Sequence, residues 1–301
     1  MFALRFHGRF LVMCCAMFCT VPAQASAQET IRMPVEIDGE HVSLSTQIYR
    51  PTGKGPFPTL IFHHGSTFRG TKPQQFAMVF DPKPMAEWFV ARGWAVVLPS
   101  RRGRGGSDGV YDEGFAEDRD FGYSCSPARS IPGADRALRD IDAATDLILK
   151  MTFVDAAQVV VGGHSRGGIL SIAHAGRNPD MYRGVLNFVG GWVGEDCNRV
   201  IYKSAPYIDR LLMGRGTTTA LPMLWLYAEN DSYCSEDYYR RNFEVFINAG
   251  GHADYRQYTL PKQVDGHALV FFPKVWGGAV EQYLAARGLP VQTGETRMAA
   301  N

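Results

Sequence analysis

The chain has 301 residues, of which 46% are hydrophobic, so it is long enough for one large α/β domain or for two small domains. Its 31 basic and 30 acidic side chains give a formal net charge of +1 at pH 7. Because neither sign dominates, the composition argues against nucleic acid, an anionic membrane or a polyanionic substrate as the binding partner. We expect a single domain, because no linker-like stretch divides the chain.

The first 27 residues have the three parts of a secretory signal. Arg5 and Arg9 precede an apolar run from Phe10 to Val21, and small residues follow in PAQASAQ. The apolar run has only 12 residues, which is too short for an anchor helix that spans a bilayer. We therefore expect cleavage after Ala25 or Ala27 and export to the periplasm or out of the cell.

A β-hairpin is the first element predicted after the signal. The segment IRMPVEIDGEHVSLSTQIYRP alternates apolar and polar residues on both sides of Asp38-Gly39, which is a strong signal for a two-residue hairpin turn. We expect this antiparallel pair to form the leading edge of the sheet.

Six short apolar runs follow, separated by amphipathic stretches. The runs are TLIFHHG, WAVVLPS, QVVVGGHS, GVLNFVGG, MLWLYAEND and YRQYTL, and the first five are nearly unbroken, as in strands covered on both faces. The amphipathic stretches predict helices over residues 84–92, 134–151, 168–177, 235–249 and 274–287. This alternation predicts an α/β fold, a mostly parallel doubly wound sheet of about eight strands with helices on both faces. The domain is expected over residues 28–290, with a flexible tail at 291–301.

Two long insertions interrupt the alternation. They cover residues 101–135 and 194–220 and follow the second and fourth of the six runs, so both should emerge at the carboxyl edge of the sheet, where open α/β sheets bind ligands. The first insertion contains Arg101, Arg102 and Arg104. These arginines either steer a carboxylate-bearing substrate into the cleft or, as we expect, form a solvated surface.

The segment Gly163-His164-Ser165-Arg166-Gly167 fits G-x-S-x-G and lies between a predicted strand and a predicted helix. Such a turn is so sharp that flanking side chains would collide with the backbone, and it holds the serine hydroxyl near the positive end of the helix. A phosphate-binding loop is excluded, because Gly168 and Ile169 occupy the positions of its lysine and hydroxyl residue. The segment predicts a nucleophile at Ser165, with a simple packing turn as the alternative.

A serine hydroxyl is nearly inert near neutral pH, so a base must lie at the same edge of the sheet. Residues just after a parallel strand lie at that edge, and residues just before a strand lie at the opposite one. His267 follows the last predicted strand and is the expected base, with a surface-loop histidine as the alternative interpretation. His252 precedes that strand and should lie at the wrong edge.

The orienting carboxylate follows from the same rule. Asp231 comes directly after MLWLYA, and the chain order Ser165, Asp231, His267 is the order expected for this architecture. Glu229 is a competing neighbour, and Asp265 is too close to His267 on its own loop for an easy approach. Capping of the following helix is the alternative role for Asp231.

Two backbone N–H groups are expected to stabilise the oxyanion. One belongs to Arg166, and the other to Ser66 or, less favoured, Thr67, in the turn after LIFHHG. The adjacent His63 and His64 do not by themselves indicate a metal site, because no further ligand is clearly placed to complete one. We expect no metal and no cofactor.

Removal of the signal, with Cys14, Cys15 and Cys19, leaves three cysteines. They are Cys125, Cys197 and Cys234, and their pairing cannot be deduced from the sequence. The predicted fold suggests Cys197 with Cys234. Three buried thiols are the alternative.

The segments HHG, GHSRGG, AEND and GH, each at the end of its own strand, resemble those of the α/β-hydrolase superfamily. The resemblance covers about Thr30 to Arg287 and is closest to the branch of dienelactone-hydrolase-like and prolyl-oligopeptidase-like serine esterases. It implies that Ser165 is the nucleophile, His267 the general base and Asp231 its orienting acid, with two-step acyl transfer and no cofactor. Dienelactone hydrolases proper typically have a cysteine nucleophile and are usually cytoplasmic, so lactone hydrolysis is not expected here.

The resulting hypothesis is an exported carboxylesterase that acts on a small-molecule ester. A peptidase or amidase is the first alternative. A non-catalytic binding protein on a hydrolase scaffold is the second, although such a protein would be expected to lack one member of the triad. Candidate substrate-binding residues are Thr67, Trp192 and Tyr233. The aromatic residues of the insertions and strand ends predict an aromatic-lined acyl pocket or, alternatively, ordinary loop packing; they are Tyr123, Trp192, Tyr202, Tyr207 and Tyr233. The oligomeric state is not predicted.

Overall fold

The computed structural model describes residues 26–67, 72–194, 197 and 205–291. The predicted signal segment up to residue 25, Tyr202 and the predicted tail from residue 292 lie outside the described residues. Within the described part of the chain, no helix has the length and apolar character needed to cross a bilayer.

One mixed sheet organises the described residues. Its eight strands are β1 (Ser26–Ile37), β2 (Glu40–Pro51), β3 (Phe57–His63), β4 (Ala95–Pro99), β5 (Val154–His164), β6 (Gly184–Phe188), β7 (Met223–Ala228) and β8 (Ala253–Tyr258). Their spatial order is β1-β2-β4-β3-β5-β6-β7-β8. The β1–β2 and β2–β4 pairs are antiparallel and all the others are parallel. The predicted fold class is therefore confirmed, with the hairpin at one edge of the sheet.

Seven α-helices connect and cover these strands in the described residues. They are α1 (Pro73–Ala77), α2 (Lys83–Val90), α3 (Pro127–Ile148), α4 (Arg166–Arg177), α5 (Ala205–Gly214), α6 (Glu236–Asn248) and α7 (Pro273–Ala285). A 3₁₀ helix over Gly266–Phe271 carries the predicted base. Two helices were not predicted. They are the short α1 and α5, and α5 lies in the second insertion.

The start of α3 corrects the predicted boundary at residue 134. The helix begins at Pro127 and continues through Pro132, although a proline in this position usually indicates a loop. Pro127 occupies the first helical turn, where its missing N–H has no intrahelical acceptor and its fixed φ suits the helix. The first insertion is therefore shorter than the sequence suggested.

The core explains the unbroken apolar runs. Every residue of β4, β6 and β7 is buried, because helices cover both faces of the central sheet. The edge strand β8 is only partly buried. Because strands β3 to β8 run parallel, they all end at one edge of the sheet. The candidate catalytic residues follow the strands at this edge.

The disulfide joins the two insertions. Cys125 and Cys197 are bonded, with their Cα atoms 5.4 Å apart, so the expected pairing of Cys197 with Cys234 is wrong. Cys125 comes just before α3, and Cys197 lies in the insertion after β6, so the bond reflects a contact between loops that no local pattern encodes. Cys234 is buried and lies outside this disulfide.

Candidate active site

The turn between β5 and α4 is strained at Ser165, whose φ is 56° and ψ is −124°. A left-handed backbone of this kind costs a non-glycine residue about 1–3 kcal/mol. The flanking glycines are required by contact: a Cβ atom on Gly163 would lie 2.2 Å from the carbonyl carbon of Gly167, and one on Gly167 would lie 2.0 Å from the carbonyl oxygen of His63. The turn thus holds the Ser165 side chain at the sheet edge, next to the first turn of α4.

Asp231 and His267 meet at the same edge, after β7 and β8. The imidazole Nδ1 of His267 lies 2.8 Å from Oδ2 of the buried Asp231 carboxylate. Because the carboxylate only accepts, Nδ1 carries the proton and Nε2 is left as the basic nitrogen. The hydroxyl of Tyr239 donates to the same oxygen at 2.9 Å, and the backbone N–H of Tyr233 donates to Oδ1 at 2.8 Å.

Ser165 and His267 both line two neighbouring cavities. The first, which we call the small chamber, has a volume of about 100 Å³, and the second, the large pocket, has a volume of about 460 Å³. Ser66 and Tyr233 also line both cavities, and the Tyr233 ring packs on the His267 imidazole with 4.3 Å between centroids. The structure therefore brings the predicted nucleophile, base and acid to one rim of the sheet.

The turn after β3 touches the nucleophile. A Cβ atom on Gly65 would lie 2.8 Å from that of Ser165, so this turn passes directly beside the serine. Thr67 donates its backbone N–H to the Tyr123 hydroxyl at 3.2 Å, and its own hydroxyl also bonds to that oxygen, at 3.0 Å. These bonds engage the backbone N–H and the hydroxyl of Thr67. The backbone N–H groups of Ser66 and Arg166 therefore stay the predicted oxyanion donors.

The competing residues lie elsewhere or have other partners. His252 lies at the opposite edge of the sheet, where its carbonyl accepts a hydrogen bond from the backbone N–H of Met223 at the beginning of β7. Glu229 is exposed and accepts from the hydroxyl of Thr259 at 2.5 Å. Asp265 accepts the backbone N–H of His267 at 2.9 Å, and therefore shapes the base loop.

His164 is a site residue that sequence reasoning missed. Its Nε2 lies 2.7 Å from the carbonyl oxygen of His267, and its ring stacks on Phe80 with 5.4 Å between centroids. Burial lowers the pKa of His164 to about 3, and the neighbouring His267 acts in the same direction. The imidazole is therefore neutral at pH 7 and donates from Nε2, which ties the base loop to the residue before the nucleophile. Its position beside Ser165 was the one available signal.

Arg166 has a structural side chain next to the nucleophile. Its guanidinium lies between the rings of Tyr123 and Trp192, 3.7 and 4.2 Å from their centroids. It donates to the backbone carbonyls of Glu113 at 2.7 Å and Trp192 at 2.8 Å, and its Nη1 lies 3.9 Å from the Glu113 carboxylate. The side chain thus lies close to a buried acid, and it also forms part of the wall of the small chamber.

The arginines of the first insertion are buried, which corrects the expectation of a solvated surface. Arg101 forms an ion pair with the buried Glu113, and Arg102 forms one with the buried Asp140. Arg104 is also buried and lines the large pocket. The insertion packs against the sheet edge, so its charges find internal partners.

The aromatic candidates divide between the site and the surface. Trp192 and Tyr123 line the small chamber, Tyr233 lines both cavities, and Thr67 lines the large pocket. Tyr207 is 58% exposed on α5, so its expected place in the pocket is wrong. Its helix turns this ring to the surface.

His63, the last residue of β3, and His64, which follows it, are part of the scaffold. The Nδ1 of His64 donates to the carbonyl of Gly65 at 2.8 Å, and its Nε2 accepts the backbone N–H of Arg101 at 3.0 Å. Burial holds the pKa values of His63 and His64 well below the ordinary value, so both are neutral. Over the residues that the structure describes, no group of three His, Cys, Asp or Glu side chains is arranged to hold a metal ion.

Comparison with known proteins supports the class that this geometry defines. Residues 38–125 match the X-Pro dipeptidyl-peptidase (S15) family, and residues 133–210 match the prolyl oligopeptidase (S9) family. Among the curated proteins, none matches this chain in sequence.

Solved structures share the fold at low sequence identity. A protein from Klebsiella pneumoniae subsp. pneumoniae MGH 78578, assigned as a dienelactone hydrolase, is 16% identical with a TM-score of 0.58, over 88% of this chain and 99% of that one. The Pyrococcus furiosus esterase Pf2001 is 14% identical with a TM-score of 0.57, over 86% and 90%. Est1E from Butyrivibrio proteoclasticus, solved with ferulic acid, is 16% identical with a TM-score of 0.56, over 85% and 98%.

The fold and the order of its elements are therefore those of an α/β-hydrolase. Together with the two partial family matches, this fold supports an α/β-hydrolase of the dienelactone-hydrolase-like and prolyl-oligopeptidase-like branch, with serine hydrolase as its class.

The hydrogen bond between Asp231 and His267 gives a direct prediction. Asp231→Asn and His267→Ala should each lower kcat on an activated ester by about 1,000- to 10,000-fold, because the first disturbs the tautomer of the base and the second removes it. His252→Ala, at the opposite edge of the sheet, is the matched control and should keep kcat within about twofold. Steady-state kinetics and circular dichroism of the three variants check this. Loss of activity in the His252 variant would contradict the assignment.

The bond from His164 to the carbonyl of His267 gives a second prediction. His164→Phe keeps an aromatic ring against Phe80 but loses the donor, so the base loop should shift and kcat should fall about 10- to 100-fold. Because the bond acts on the geometry of the base, we expect KM to change little. Kinetics and thermal unfolding of the purified variant separate the outcomes: a lower melting temperature with an unchanged kcat would show that His164 serves stability alone.

Proposed function

We propose that the chain is an exported serine hydrolase that cleaves carboxylic ester bonds through a Ser165 acyl-enzyme. The observation that supports this most strongly is the His267–Asp231 hydrogen bond, which lies beside the strained Ser165 where the two cavities meet. A buried acid, a base with a free Nε2 and a serine at a helix N-terminus are the groups that acyl transfer requires.

The reaction follows from these positions. Nε2 of His267 accepts the Ser165 proton as the serine oxygen attacks the ester carbonyl carbon, and the backbone N–H groups of Arg166 and Ser66 bind the resulting oxyanion. The intermediate collapses, the C–O bond to the alcohol breaks, and His267 returns the proton to the leaving oxygen. Water then attacks the acyl-enzyme with His267 again as the base, which releases the carboxylic acid and restores Ser165.

The family matches favour a second candidate, a peptidase or amidase. Both matched families are named for peptidases, and the same constellation cleaves amides when a pocket positions the amine leaving group. The similar solved structure Pf2001 is described as an esterase, Est1E was solved with ferulic acid, a carboxylic acid, and the large pocket is mainly apolar. These observations support an ester substrate for this chain.

Export is part of the proposal. The charged, apolar and small-residue parts of the first 27 residues support it, and so does the Cys125–Cys197 disulfide, because such bonds persist mainly in oxidising compartments.

We therefore expect the protein recovered from the periplasm or medium of a producing bacterium to begin at Ser26 or Gln28. The intact mass of the purified protein measures this, and full-length chain found solely in the cytoplasm would contradict export.

The esterase assay tests the main proposal. Wild-type protein should hydrolyse p-nitrophenyl acetate and butyrate, and Ser165→Ala should lose at least about 1,000-fold in kcat while keeping its fold, because the nucleophile is removed. Aminoacyl p-nitroanilides serve as the amide comparison. Equal rates for wild type and the alanine variant would refute a serine mechanism, and faster cleavage of the anilides would favour the peptidase candidate.

A further inference from the structure

The two cavities beside Ser165 differ in size and in what surrounds them. The small chamber has a volume of about 100 Å³, whereas the large pocket has a volume of about 460 Å³. An ester bound at Ser165 has two sides, the acyl chain and the alcohol, and each must enter one of these spaces. The difference in volume therefore selects substrates, provided that each side of the ester has a fixed place.

Hydrogen bonds to Asp209 hold the wall of the small chamber in place. Trp192 is 2% exposed, and its backbone N–H donates to the buried carboxylate of Asp209 at 2.9 Å. Val193, beside it, donates to the same oxygen at 3.4 Å, and the hydroxyl of Tyr238 donates to the other Asp209 oxygen at 3.0 Å. These bonds fix the segment after β6, so its side chains cannot easily move to admit a longer group.

Two further contacts hold the same wall. The indole of Trp192 packs on the Arg166 guanidinium. The backbone carbonyl of Trp192 accepts a hydrogen bond from Arg166 Nε at 2.8 Å. Cys197, which lines the chamber, is covalently fixed to Cys125 in the other insertion. The disulfide therefore links the wall residue Cys197 to the other insertion.

The volume sets an upper limit on the group that enters. A closed apolar cavity of about 150 Å³ accommodates a benzene molecule. At about 100 Å³ the chamber is smaller, so an acetyl to butyryl chain fits, whereas a phenyl ring or an octanoyl chain does not. An oversized group would have to displace buried side chains, which disfavours its binding.

The position of the base loop decides which side of the ester lies where. The leaving oxygen must receive its proton from His267, and the large pocket is the cavity that contains this loop, with Asp265, Ala268 and Phe271 beside the imidazole. The small chamber shares only His267 with that loop. The alcohol therefore lies over the large pocket and the acyl chain in the small chamber.

The rim of the large pocket supports this orientation. Met78 and Val79 line it and are 64% and 49% exposed, so the pocket continues to an apolar surface. A bulky apolar or aromatic alcohol can extend there, and it can leave while the acyl group stays bound to Ser165.

We propose that the preferred substrates are esters of short acyl chains, acetyl to butyryl, with bulky apolar or aromatic alcohols. This inference rests on the proposed function, since it assigns the substrate class of the same site. Trp192 and Val193 are the residues that set the acyl limit.

A chain-length series tests the proposal. Wild-type kcat/KM should be at least about 100-fold higher for 1-naphthyl acetate, propionate and butyrate than for 1-naphthyl octanoate and benzoate, which corresponds to rejection of an oversized acyl group. With the acyl group held as acetate, the naphthyl ester should have a KM well below that of a small alkyl ester such as ethyl acetate.

Variants in the wall give the sharper test. Trp192→Ala should enlarge the chamber and raise the octanoate-to-acetate ratio of kcat/KM at least about tenfold. Because loss of this indole also disturbs Arg166, Val193→Ala is the second variant: it removes less volume, keeps the backbone bond to Asp209, and should raise the hexanoate-to-acetate ratio. Phe271→Ala, in the large pocket, is the matched control and should alter the preference among alcohols without altering the acyl ratio. Circular dichroism verifies that each variant is folded.

The outcomes separate this inference from the proposed function. If wild-type protein hydrolyses no ester, the proposed function fails. If it hydrolyses octanoate and acetate equally well in a Ser165-dependent reaction, the function stands and the acyl limit is wrong. If the folded Val193 and Trp192 variants keep the wild-type ratio of kcat/KM between long-chain and acetate esters, the small chamber is not the acyl site. The same conclusion follows if the Phe271 variant is the only one that changes this ratio.

Discussion

The site depends on one backbone constraint, the left-handed conformation of Ser165. This conformation is possible because Gly65, Gly163 and Gly167 have no Cβ atoms, and each of those atoms would collide with a neighbour at 2.8 Å or less. The strain is held by β5 on one side and by α4 on the other, so the serine cannot relax without disturbing the packing of both. The hydroxyl is thereby fixed at a point that the ends of β3, β7 and β8 also reach.

The second requirement is met by the direction of the strands. Because β7 and β8 run parallel to β5, the residues after them arrive at the nucleophile's edge, and residues before them do not. This rule allowed the positions of Asp231, His267 and His252 to be predicted from sequence, since strand direction follows from the strand–helix alternation. The Asp38-Gly39 turn was equally predictable, because Asp-Gly is a residue pair that readily adopts the positive φ of a two-residue hairpin turn. Both residues have a positive φ in the structure.

The remaining features depend on contacts that sequence patterns do not encode. The Cys125–Cys197 bond, the burial of Arg101 and the role of His164 all arise where loops distant in the chain pack together. A run rich in arginine and glycine appears solvated in a sequence because its acidic partners lie elsewhere. Burial alone would raise the pKa of Glu113, yet the adjacent Arg101 outweighs it and holds that pKa below its ordinary value. Glu113 is thus a charged anchor for Arg101 and for Arg166, and Arg166 lines the small chamber.

The most direct test of the account is covalent labelling with an aryl-ester organophosphonate, a reagent that reacts with an activated serine and mimics the tetrahedral intermediate. The account predicts one adduct per chain, located at Ser165 by peptide mass mapping and formed far more slowly in the His267→Ala variant. An adduct on a different residue, or equal labelling with and without the imidazole, would contradict the claim that this strained serine is activated by that base.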